Sequence, residues 1–132
     1  MPQVNFLAVG AAAVAAFVLA SVWYSPLLFF KPWKTAVGLS DEVAAKASTP
    51  LRLVATFVLV LIGALVFAFF LGPKVTPVQG ALYGFAAGLT WVAFSLGVNY
   101  LFEGRPLKLF LINGGYHTLE FTLIGLILGL WH

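Results

Sequence analysis

The sequence predicts an all-α fold: a four-helix transmembrane bundle with a short interfacial or cytoplasmic helix between the first two spans. Three observations carry this expectation. Apolar residues make up 62% of the 132-residue chain and charged residues only 8%, against roughly 25% charged in a soluble domain. Four long apolar runs follow one another, at about 4–24, 53–71, 78–102 and 107–131, and proline or glycine marks each break. Each run has about the number of residues that crosses ~30 Å of hydrocarbon at 1.5 Å per residue. Continuous apolar runs exclude a barrel, so backbone groups in lipid must pair within helices. The length suits one domain over residues 1–132.

Run one, Val4 to Tyr24, is uncharged. Leu19-Ala20-Ser21 resembles a signal-peptidase site, but Met1-Pro2-Gln3 carries no Lys or Arg. The run also exceeds the ~7–15 residues of a signal core, so it reads as a retained helix. Ser25-Pro26 ends it, because proline pushes the preceding residue out of the α region. Leu27 to Phe30, then Lys31, Trp33 and Lys34, form with Trp23 and Tyr24 an interfacial anchor: aromatic rings favour the headgroup level and lysines snorkel. Ser40 then caps a short helix with Asp41 and Glu42 in its first turn, ending before Ser48.

Thr49-Pro50 reads as an N-cap and first helical residue ahead of run two. Gly72-Pro73 and Thr76-Pro77 bracket a tight turn into run three, and Gly104-Arg105-Pro106 another into run four. These short links make runs two, three and four successive antiparallel neighbours. Lys31, Lys34, Lys46, Arg52, Arg105 and Lys108 fall on one side of the bundle and only Lys74 on the other. The positive-inside rule then makes the first side cytoplasmic and both termini external.

Helix four holds the candidate site. Asn113, Tyr116, His117 and Glu120 recur at i, i+3, i+4 and i+7 and share a face. Glu120 lies about 20 Å along the helix from Leu107, within the hydrocarbon. A central charge there costs about 2.5–3.5 kcal/mol, so the group is expected to face protein or water. Trp91, Ser95 and Asn99, spaced by four, are expected to oppose it from helix three. The cluster reads either as a proton relay built on Glu120 and His117, or as structural hydrogen bonding between helices. His132 is expected to fray, and Glu103 with Arg105 to form a loop ion pair.

Gly80, Gly84 and Gly88 on helix three, and Gly125 and Gly129 on helix four, allow close backbone approach, as do Ala8, Ala12, Ala16 and Ala20. They serve packing within one chain or between copies, and a homodimer or larger assembly through one of these ridges is the expectation. The net charge of +3 sits in loops, so no nucleic-acid partner is expected. With no cysteine, thiolate chemistry and cysteine metal sites are excluded. His117 and Glu120 reverse the Glu-x-x-His order of di-metal bundles, and no catalytic motif is present. The expectation is no enzyme, no metal and no cofactor.

The segments Trp23-Tyr24-Ser25-Pro26-Leu27-Leu28-Phe29, Phe102-Glu103-Gly104-Arg105 and Asn113-Gly114-Gly115-Tyr116-His117 resemble a bacterial domain-of-unknown-function family of small four-helix membrane proteins. The resemblance covers nearly the whole chain and departs from the family at Phe30, where glycine is common. It implies a bacterial inner-membrane protein and brings no activity. The basic-Pro-x-Lys pattern shared by Lys31–Lys34 and Arg105–Lys108 suggests either a duplicated hairpin or coincidence. The functional expectation is a proton-linked transporter or channel component; the alternative is a structural or accessory membrane protein.

Overall fold

The computed structural model describes residues 4–46 and 49–131, and within them the chain is helical with no strand. Met1 to Gln3, Ser48 and His132, on which some expectations above rest, lie outside the described residues. Helix α1 spans Phe6–Trp23, α2 Phe30–Val37, α3 Asp41–Ala45, α4 Pro50–Leu71, α5 Pro77–Ala86, α6 Phe94–Glu103 and α7 Leu107–Leu130. A π-helical stretch, Ala87–Ala93, joins α5 to α6. Three helices are long and apolar enough to cross a membrane: α1, α4, and the continuous 27-residue helix Pro77–Glu103.

Local chemistry sets the boundaries. The Asn5 side chain accepts from the Leu7 and Ala8 amides and starts α1. Thr49 takes the extended N-cap backbone ahead of Pro50, but its side chain makes no cap bond. The helix opens at Pro50, as the Thr49-Pro50 pair predicts, and so starts ahead of the apolar run, with Arg52 in its first turn. At α5, Thr76 and Gln79 form a reciprocal capping box, a signal present in the sequence and not used above. Gly104, at φ 68°, closes α6 in the left-handed conformation.

The connection from α1 to α4 differs from expectation. The anchor segment itself folds into α2, with Pro32 in its first turn, where the missing N–H costs little. Gly38, at φ 82°, ends it. Ser40 caps α3 by accepting from the Val43 amide, and Lys34 pairs with Asp41 to hold α2 against α3. Pro32 lies inside a helix while Pro106 is an N-cap residue, so the repeated basic-Pro-x-Lys pattern has no shared geometry.

Helix α7 is the centre of the molecule, flanked by α5 and α1, with α4 packed on α1. Its contact with α5 is made of backbone. A Cβ at Gly80 would lie 2.1 Å from the Gly125 carbonyl oxygen, one at Gly84 2.0 Å from that of Phe121, and one at Gly88 2.6 Å from that of His117. Gly129 meets Thr76 in the same antiparallel register. On the other flank Ala8, Ala12, Ala13 and Ala16 of α1 are fully buried against Ala64, Phe67, Ala68, Ile124 and Leu128. Both small-residue ridges thus pack within one chain, the first of the two uses expected of them.

Candidate functional site

Beside this close-packed half lies a cavity of about 1110 Å³. Leu53, Thr56 and Gly63 of α4 line one wall, Val92, Leu96 and Tyr100 the opposite wall, and Asn113, His117 and Glu120 of α7 the floor. Phe30 and Trp33 of α2 and Ala44 and Ala45 of α3 line its loop end. Phe121 and Ile124 line the other end, where Ile124 belongs to the packed core. The cavity is therefore a vestibule that runs from the α2–α3 end to the packed core, with Glu120 among its lining residues.

The Glu120 side chain is 7% exposed. One oxygen lies 2.9 Å from His117 Nδ1, and the other accepts from the Tyr116 hydroxyl at 3.0 Å. That hydroxyl also lies 3.2 Å from the Ala16 carbonyl oxygen. The three contacts can be satisfied in two ways. With Glu120 ionised, Tyr116 and His117 each donate to one carboxylate oxygen. With Glu120 protonated, its own O–H donates to the Tyr116 hydroxyl, which turns to donate to Ala16, while His117 Nδ1–H still donates. Gaining or losing a proton thus needs only a hydroxyl rotation and leaves no buried partner stranded, which would cost ~1–3 kcal/mol. His117, the more exposed of the pair, lines the vestibule.

Nearer the α2–α3 end, a second set of bonds ties three helices together. Tyr24 donates to Asn113 Oδ1 at 2.6 Å, and Asn113 Nδ2 donates to the Tyr100 hydroxyl at 2.8 Å. The Trp23 indole donates to the Ile112 carbonyl at 2.9 Å. Tyr24 packs edge-on against Trp33 and Tyr116. Trp23, Tyr24 and Trp33 therefore make contacts within the protein while staying half-buried, and Lys31 alone of the anchor set is fully on the surface. Arg105 bonds Glu103 at 3.2 Å and also donates to the Val37 carbonyl at 3.2 Å. It so places a cation at the negative end of α2.

The structure brings together Asn113, Tyr116, His117 and Glu120, but not Ser95 and Asn99. Both are exposed on the outer face of α6, and Ser95 bonds its own helix at Trp91. The cause is the π-helical stretch. An extra residue in the turn rotates everything downstream by about 100°, so Val92, Leu96 and Tyr100 occupy the inward stripe instead of Trp91, Ser95 and Asn99. Tyr24 and Tyr100 are the site residues that periodicity missed. The first stood in the Trp-Tyr-Ser-Pro segment; the second has no sequence signal once a straight helix is assumed.

Fold and site together define a helical protein with long apolar helices suited to a membrane and a protonatable acid enclosed among them. The chain belongs to the family described as Protein of unknown function (DUF1761), whose model matches residues 7–129. No curated protein and no solved structure matches it.

Proposed function

We propose that this is a four-helix integral protein of the bacterial inner membrane that works as a proton-linked transporter component, with Glu120 as its protonatable group. The observation that carries the proposal is the Glu120 geometry: both protonation states are hydrogen-bonded, beside a vestibule that Glu120 helps to line. Helix α7 is the fourth span. Its polar residues lower its mean hydropathy, but they point into the protein, where the cost of a lipid-facing charge is avoided. The α2–α3 end of the vestibule is the end bearing Lys31, Lys34, Arg105 and Lys108, which the positive-inside rule makes cytoplasmic, leaving both termini periplasmic. The other end of the vestibule runs into the packed core at Ile124, so transport calls for a homodimer or larger assembly, or for a second conformation.

Protein in liposomes with an enclosed pH-sensitive dye tests this. Wild type carries protons under an imposed gradient, and Glu120→Gln, which keeps size and hydrogen bonding, does not. A Gln variant as active as wild type overturns the reading. The bonds joining Tyr24, Asn113 and Tyr100 favour a second reading, a structural or accessory protein. Under it wild type shows no flux and Glu120→Gln is silent.

A further inference from the structure

Resting on the protonatable Glu120, we propose that the vestibule binds an amphipathic organic cation, a hydrophobic ammonium or phosphonium, in exchange for the Glu120 proton. Its volume of about 1110 Å³ suits a drug-sized molecule, whose pockets run to roughly 1,000 Å³. The walls are apolar and aromatic: Phe17, Tyr24, Phe30, Trp33, Tyr100 and Phe121 line it. Ring faces attract a cation and tolerate its hydrocarbon substituents. Among the described lining residues there is one carboxyl group, Glu120, and no Lys or Arg. An organic anion would find only His117 to answer its charge.

The charge balance follows from the two states of Glu120. In the protonated state the Glu120 O–H lies on Tyr116 and the Tyr116 hydroxyl on Ala16. A cation reaching the floor pairs with the carboxylate; the Tyr116 hydroxyl swings back to donate to Glu120, and the displaced proton leaves through the vestibule past His117. One proton is released for each cation bound, and no covalent bond other than O–H changes. Helices α4 and α6 face each other across the vestibule without packing together. A lipophilic cation can therefore arrive from the side, between α4 and α6.

Tetraphenylphosphonium and tetraphenylborate, nearly equal in shape and opposite in charge, test this on full-length protein in nanodiscs. The expected result is saturable binding of the phosphonium, read by tryptophan fluorescence and calorimetry. It weakens as pH falls, with one proton released per cation, and the borate binds at least about tenfold more weakly, ~1.4 kcal/mol. Glu120→Gln loses at least about tenfold in phosphonium affinity, and Glu120→Asp, which restores the charge, recovers part of it. Equal binding of the two probes in wild type overturns the inference, and that contrast needs no variant. So does phosphonium binding without proton release. If proton flux through wild type depends on Glu120 but no phosphonium binds, the inference fails while the protonatable site stands. Loss of Glu120-dependent flux as well removes both.

Discussion

The two faces of α7 are built on opposite rules. Toward α5, glycines bring backbone to backbone and leave no room for a single methyl group. Toward α4 and α6, tyrosine, asparagine, histidine and glutamate stand beside an open vestibule. In lipid the hydrophobic effect does little to drive helices together, so association rests on van der Waals fit and interhelical hydrogen bonds. The closed face uses the first and the open face the second. The contrast teaches that α7 can carry a buried acid because its other face is held rigidly.

Breaking the closed face gives the largest expected effect. Gly84→Leu drives a side chain into the Phe121 carbonyl, and the account predicts loss of monodisperse folded protein in mild detergent. The matched change Gly10→Ala, where a Cβ meets nothing within 4 Å, is tolerated and gains up to ~1 kcal/mol of helix propensity. Thermal unfolding of both separates close contact from a general intolerance of side chains at glycine positions.

On the open face, Tyr24→Phe removes the donor to Asn113 and is expected to destabilise by about 1–3 kcal/mol. Tyr100→Phe removes the acceptor for the Asn113 amide and costs about 1 kcal/mol. Asn99→Ala, one residue away but outside the cluster, stays within about ±0.5 kcal/mol. If Asn99→Ala costs more than Tyr100→Phe, the π-helical register is wrong. A small and salt-dependent effect belongs to Arg105→Gln, which loses an exposed ion pair and the bond to Val37. It is worth at most about 1 kcal/mol, falling as salt is raised.

Much of the helical layout was legible in residues. Apolar runs bounded by proline and glycine placed the long helices within a few residues, because both signals act locally. The polar set on α7 was legible because a long α-helix keeps its phase. Its partners were not, since one extra residue in the Ala87–Ala93 turn exchanged the stripe Trp91, Ser95, Asn99 for Val92, Leu96, Tyr100, and no composition marks that turn. Helix α2 was hidden by Pro32, which argues against a helix interior but not against a first turn. The glycine ridge was visible, yet its occupant was not: Gly80 fits a second copy as well as it fits Gly125 until the fold sets them face to face.

The account rests on Glu120 changing protonation state inside the protein. The most direct measurement is an infrared pH titration of wild type and Glu120→Gln in nanodiscs, taken as a difference spectrum. Among the four acidic side chains, Asp41, Glu42 and Glu103 are exposed, and Glu120 alone is buried. The account predicts a carbonyl band from a protonated, hydrogen-bonded carboxylic acid that gives way to carboxylate bands as pH rises. That band is missing from the variant, and Tyr116→Phe displaces it. Wild-type and Glu120→Gln spectra with the same pH-dependent carbonyl bands would contradict it.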